Sequence, residues 1–259
     1  MSENEFRLNE QQRQRVEEFR SRHKTGVLTL LFSDMVGSTD LKQQLGDTTG
    51  TALIGEQQRI VRDLLVGFPD GEEISTAGDS FFLAFTRPSD AVRFSLQLQS
   101  HLREESHQHP KPIVLRIGIH MGEVFIDSKD NSTGIRDLLG IQVDTAARIM
   151  GLARGGQVLL SRSVFDNARS ILHGTEVGSL KPITWLNHGP YRVKGVDDPI
   201  EICEVGEEGL APLEPPSDSE KAFRYISPDH EPVLGWRPAL DLEIPTAAGW
   251  VLIEKLGEG

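Results

Sequence analysis

The chain is short of cysteine, of positive charge and of long apolar runs, and each shortage removes a class of function. Cys203 is the one cysteine among 259 residues, so no intrachain disulfide and no multi-cysteine metal or cluster site can form. A reducing, cytoplasmic setting fits. Lys and Arg number 27 against 39 Asp and Glu, a formal net charge of −12, which on average repels a nucleic-acid polymer. An anionic ligand must then be met by a few local cations, metal ions or backbone N–H groups. No stretch approaches the ~20 apolar residues that span a bilayer. The N-terminus, MSENEFRLNEQQRQRVEEFRSRHK, lacks the apolar centre of a signal peptide. The expectation is a soluble protein with no membrane partner.

What is present suits a folded domain. Hydrophobic residues make up 37% and glycines number 25, enough for a sizeable core. Residues 5–22, with Phe6, Leu8, Val16 and Phe19 as large apolar points, read as a sparse amphipathic helix. VLTLLF after Gly26 reads as a central strand, and Gly37-Ser38-Thr39 as a helix start. Helices follow at 39–47 and 50–67. EEISTA and SFFLAF read as strands joined by a tight turn at Gly78-Asp79. A helix opens at Pro88, a strand covers 113–126, and a helix at 138–152 precedes the strand QVLLS and a helix at 163–172. This order contains a βααββαβ core, which predicts an α+β fold with helices packed on a mainly antiparallel sheet. Beyond Val205 come seven of the fourteen prolines, interleaved with acids, so 206–248 reads as an extended linker.

The sharpest local signal is LLFSDMVGST. An Asp at the end of a buried strand, followed by Gly-Ser-Thr opening a helix, sets a carboxylate beside free N–H groups able to hold phosphate oxygens. Alternatively, Asp34 and Ser38 simply cap that helix. Asp79 sits in a hairpin whose strands would pair beside the first strand in this topology, so two carboxylates could converge. Such a pair suits Mg²⁺ or Mn²⁺ holding a polyphosphate. His120 and Glu123 in HMGE lack the helical HExxH arrangement of a zinc hydrolase, and His101, His107 and His109 read as part of a solvated stretch. Gly37-Ser38-Thr39 lacks the lysine and spacing of a Walker loop.

Five segments in order, LTLLFSDMVGSTDL, ISTAGDSFFLAF, LRIGIHMGEV, LLGIQVDTAARIMGLARGGQVLLS and YRVKGVDDPIEICEV, make residues 26–205 resemble the class III nucleotidyl cyclases, the adenylate and guanylate cyclase catalytic domains. The resemblance implies a ferredoxin-like homodimer with shared active sites. Two Mg²⁺ or Mn²⁺ ions would activate the ribose 3′-hydroxyl of ATP or GTP for attack on the α-phosphate. It places Asp34 and Asp79 at the metal positions, with the Met35 carbonyl as a further ligand and Gly37 and Ser38 at the substrate. Arg148 matches the arginine that stabilises the transition state, and Lys194 the lysine that contacts the triphosphate. Asp137 matches the residue that reads the adenine amino group.

Two positions depart from the family pattern. Ser75 stands where adenylate-specific members carry Lys, so ATP is favoured over GTP only slightly, through Asp137. Asp144 replaces the asparagine that orients the ribose or the reacting phosphate. A carboxylate there opposes developing negative charge unless paired, and Arg148 lies four residues on, on the same helix face. Slow cyclisation is the expectation. The C-terminal GWVLIEKLGEG, 249–259, resembles the opening of a Ser/Thr protein kinase domain, with Gly257 and Gly259 as its first loop glycines. The alternatives to an enzyme are a cyclase-like nucleotide-binding module regulating an attached kinase, and a dimerisation scaffold needing no ligand.

Overall fold

The computed structural model describes residues 25–106, 111–128, 135–174 and 180–226. The N-terminal helix expected at 5–22, His107 and His109, and the kinase-like segment at 249–259 lie outside the described residues.

β1 (Thr25–Met35) is a central strand because both of its faces are apolar. Leu31 and Met35 on one face join the main core, while Leu30 on the other packs with Phe82, Val124, Leu138 and Ala146. α1 (Ser38–Leu45) and α2 (Asp47–Leu65) follow. The buried stripe of α2, Leu53, Ile54, Gln57, Ile60 and Val61, has the spacing of a helix packed along one face. β2 (Gly71–Ala77) and β3 (Ser80–Phe85) form the expected hairpin, with Gly78 at φ 65° in its turn, a conformation that costs glycine no steric penalty. α3 (Pro88–Ser106) buries Phe94, Leu98 and Leu102 against the same core. Full burial of each such side chain contributes about 1.5–3 kcal/mol.

β4 (Leu115–Ser128) pairs antiparallel with β1 along its length and completes βααββαβ. β5 (Ile135–Leu139), α4 (Ile141–Leu152), β6 (Val158–Ser161), α5 (Arg162–Leu172), β7 (Ile183–Val193), β8 (Ile200–Glu207) and β9 (Ala222–Arg224) follow. The sheet order is β2-β3-β1-β4-β6-β8-β7-β9, with β5 on β4. Pairing is antiparallel except between β4 and β6. The fold is thus the mixed α+β architecture expected from the sequence.

α4 packs closely on β4. A Cβ built on Gly118 would stand 2.1 Å from the Met150 backbone nitrogen, so only glycine admits the helix at this distance. Cys203 is fully buried on β8, and burial pushes its thiol up to about 12, which makes it an inert core residue.

Two sequence expectations are corrected. The helix expected from 138 begins at Ile141, because 135–139 pairs with β4 as β5. The span expected to be linker from 206 carries the end of β8, and β9 within it joins the sheet. Its prolines do not prevent this, since β9 adds to the edge of β7 over the proline-free stretch Ala222–Arg224.

Candidate active site

Asp34 lies near the end of β1, in register with Arg116 on β4. Arg116 donates to Asp34 Oδ2 through Nε at 2.9 Å and Nη2 at 2.5 Å, and the Ser80 hydroxyl donates to Oδ1 at 2.6 Å. Because Ser80 follows Asp79 directly, this last bond ties the hairpin turn to the end of β1. The turn is held from the other side by α2. Gln57 Nε2 donates to the Asp79 carbonyl at 3.0 Å and Gln58 Nε2 to the Gly78 carbonyl at 2.6 Å. The two acidic residues are thus gathered at one end of the sheet.

The helix-cap alternative is not what forms. The Asp34 carboxylate is engaged by Arg116 and Ser80, and among the described residues no side chain caps the N-terminus of α1. Its first N–H groups, at Gly37 and Ser38, remain available to an anion. The Met35 side chain is buried in the core, which leaves its carbonyl as the group it can offer.

The donor set fits a divalent cation. Asp79 Oδ2 is buried without a hydrogen-bond partner among the described residues, a costly arrangement for a carboxylate oxygen and one that a cation would relieve. Among the described residues no group of three or more His, Cys, Asp or Glu gathers, so the remaining coordination would come from carbonyl, water or substrate oxygens.

A second cluster lies at the joint of α4 with the end of β7, a strand that β4, β6 and β8 separate from β1 in the sheet. Arg148 Nη1 donates to the Lys194 carbonyl, and Arg148 Nη2 stands 3.8 Å from Asp144 Oδ2, the same-face pairing expected for residues four apart. Asp144 is nevertheless 64% exposed and Arg148 19%, so the carboxylate is only loosely held. Asp144, Arg148 and Lys194 line one cavity of about 590 Å³. Ser75 is exposed beside a bulge in β2, and Asp137 is exposed on β5 with Oδ1 accepting from Leu138 N at 2.8 Å. Parts of β2 and β5 approach within 8 Å, Cα to Cα.

The chain therefore groups Asp34 with Asp79 and Asp144 with Arg148 and Lys194. Sequence reasoning missed Arg116, Ser80 and Gln57. Arg116 carried a signal, since it lies in one of the segments quoted above, but its partner depends on strand register. His101 is exposed on α3. His120 is buried, with Nε2 2.6 Å from Gln142 Oε1, in keeping with a structural role.

Residues 21–200 match the family model of the adenylate and guanylate cyclase catalytic domain. The chain belongs to that family. An uncharacterised protein of Mycobacterium tuberculosis is 31% identical over 202 residues, covering 76% of this chain and 62% of its own length. An adenylate cyclase of Lachancea kluyveri is 28% identical over 221 residues, 73% of this chain and 12% of that one. The chain thus spans less than two thirds of these relatives. Among solved structures, the adenylyl cyclase CyaB from P. aeruginosa superposes with a TM-score of 0.59 at 21% identity, covering 71% of this chain and 96% of that one. The guanylate cyclase domain of RhGC from Catenaria anguillulae, in complex with GTP, gives 0.54 at 17% identity, covering 71% and 99%. At these identities the superpositions speak for the fold. Among the described residues no helix is long and apolar enough to cross a membrane.

Proposed function

We infer that this chain is a nucleotide cyclase that converts a purine nucleoside triphosphate, ATP somewhat in preference to GTP, to its 3′,5′-cyclic monophosphate and pyrophosphate. The observation that carries the reading is the Ser80 bond joining the Asp79 turn to Asp34, together with the partnerless Asp79 oxygen. Asp34, Asp79 and the Met35 carbonyl would hold Mg²⁺ or Mn²⁺. Two such ions would acidify the 3′-hydroxyl and neutralise the triphosphate. The O3′–Pα bond forms as the bond from Pα to the bridging oxygen breaks; the 3′ proton goes to solvent and pyrophosphate leaves. Arg148 supplies fixed positive charge where charge develops on the α-phosphate, and Lys194 with the Gly37 and Ser38 N–H groups holds the outer phosphates. Ser75 and Asp137 would contact the base.

The active unit on this reading is a homodimer in a cytoplasmic signalling role. Within one chain the carboxylates and the cations belong to separate clusters, so a second copy would bring one set opposite the other. A row of exposed apolar side chains offers contact surface: Phe125 on β4 faces its register partner Leu139 on β5 and is diagonal to Val27 on β1, with exposures of 42%, 51% and 60%.

A second reading rests on Asp144. An exposed carboxylate beside Arg148 weakens the charge that catalysis needs, which favours a nucleotide-binding module controlling an attached Ser/Thr kinase. Mass spectrometry of products after incubation with ATP or GTP and Mn²⁺ decides between the two. Cyclic AMP in excess over cyclic GTP is expected; retained nucleotide binding with no cyclic product from either would favour the module.

A further inference from the structure

β9 is an addition to the βααββαβ core. Residues 208–224 leave β8 as a strap and return along the edge of β7, where Val193 pairs with Ala222. The strap is firmly clasped. The fully buried Glu204 carboxylate accepts Leu213 N at 3.0 Å on Oε1, and on Oε2 it meets Gln157 Nε2 at 3.0 Å and His188 Nε2 at 2.7 Å. Gln157 Nε2 also donates to the Glu214 carbonyl at 2.7 Å, and the Tyr191 hydroxyl to the Pro216 carbonyl at 3.3 Å. Arg154 reaches Ser217 Oγ at 2.7 Å and the Glu214 carboxylate at 3.1 Å. A segment held at this many points, several of them buried, is a fixed part of the domain.

The strap ends at the cation cluster. Lys194 N donates to the Lys221 carbonyl at 2.8 Å, so the two lysines sit side by side on paired backbone. Ser219, Glu220 and Lys221 line the same cavity as Asp144, Arg148 and Lys194. Three cations thus face two carboxylates around one cavity, in a chain whose net charge is −12. Neither lysine ammonium is engaged in an ion pair among the described residues, and both residues are exposed.

We propose that Lys221 is a second triphosphate-binding lysine, delivered to the nucleotide site by the clasped strap. The proposal rests on the cyclase reading of Arg148 and Lys194. Two ammonium groups side by side suit the outer phosphates of a nucleoside triphosphate, whose charge rises as pyrophosphate departs, whereas a monophosphate has nothing to place between them. The seven lining residues other than Lys221 leave the local charge balanced, with Arg148 and Lys194 set against Asp144 and Glu220, so Lys221 decides its sign.

The test is calorimetric titration of the full chain with Mn²⁺ and 3′-deoxy-ATP or 3′-deoxy-GTP, which cannot cyclise, and with the corresponding 3′-deoxy monophosphates. Lys221→Gln should weaken both triphosphates about tenfold and leave the monophosphates nearly unchanged, and Lys221→Arg should restore triphosphate binding. Because the side chain is exposed, the thermal midpoint should not move. Unchanged triphosphate affinity in Lys221→Gln, or an equal loss for monophosphates, overturns the proposal while leaving the cyclase reading in place. No saturable heat from the wild type with either triphosphate removes both.

Discussion

Arg116 and Asp34 face each other across β4 and β1, and the guanidinium holds one carboxylate oxygen through two of its nitrogens, at 2.9 and 2.5 Å. A divalent cation arriving at Asp34 must therefore share that carboxylate with, or take it from, a half-buried arginine. Arg116→Gln is expected to tighten binding of Mn²⁺ alone about fivefold. Mn²⁺ titration in the absence of nucleotide checks this, and weaker binding by the variant would show that Arg116 organises the site instead.

The two separated clusters predict complementation between copies. Asp79→Ala and Arg148→Ala should each lose cyclase activity by at least about 100-fold. Mixing the two should recover part of it, because a mixed dimer contains one site with both its carboxylates and its arginine intact. Recovery is read as cyclic nucleotide formed per milligram; a mixture no better than its components would contradict a shared site.

Asp144 stands 3.8 Å from Arg148 and is mostly exposed, so its charge opposes the arginine without being neutralised by it. Asp144→Asn is expected to raise kcat about fivefold with little change in KM. Initial rates across substrate concentrations separate the two constants. A slower variant would mean that the carboxylate has a positive task in this chain.

His120 makes stability depend on pH. With Gln142 Oε1 accepting from Nε2, the proton sits on Nε2, and Nδ1 is buried without a partner among the described residues. Burial lowers the imidazole pKa below its ordinary value of 6.5, and the Gln142 bond opposes this only in part. The unfolded chain thus binds a proton before the folded one does, and stability is lost as pH falls below the unfolded value. Urea denaturation between about pH 7.5 and about pH 5.5 should show a steeper loss for wild type than for His120→Gln. Parallel slopes would remove His120 as a cause.

Gly118 tests the seat of α4. A methyl group there meets the Met150 backbone, which no side-chain rotation can relieve. Gly118→Ala should cost about 3 kcal/mol or more, or displace the helix that carries Asp144 and Arg148. Denaturant midpoints and nucleotide affinity, measured together, distinguish these outcomes, and a variant unchanged in both would contradict the close packing.

Much of this molecule is local in origin. Apolar stripes such as Leu53, Ile54, Ile60 and Val61, the Gly78-Asp79 turn and the order βααββαβ all follow from spacing and turn chemistry that neighbouring residues impose on one another. Asp34, Asp79, Arg148 and Lys194 could be singled out as candidates too, because their residue types stand in segments that resemble the cyclase catalytic domains. One element that escaped notice, β5, is a five-residue strand whose apolar content also suits a helix start, and only its pairing with β4 settles its form.

Tertiary structure decided what depends on register and on strands distant in sequence. That Asp34 meets Arg116, 82 residues on, and Ser80, 46 residues on, follows from how β1 lies between β3 and β4, which no local pattern encodes. The stretch 208–224 after β8, part of the proline-rich span, gave no local hint that it would fold. It does so because a buried carboxylate on β8 needs donors and the free edge of β7 needs a strand, and residues 213–224 supply both.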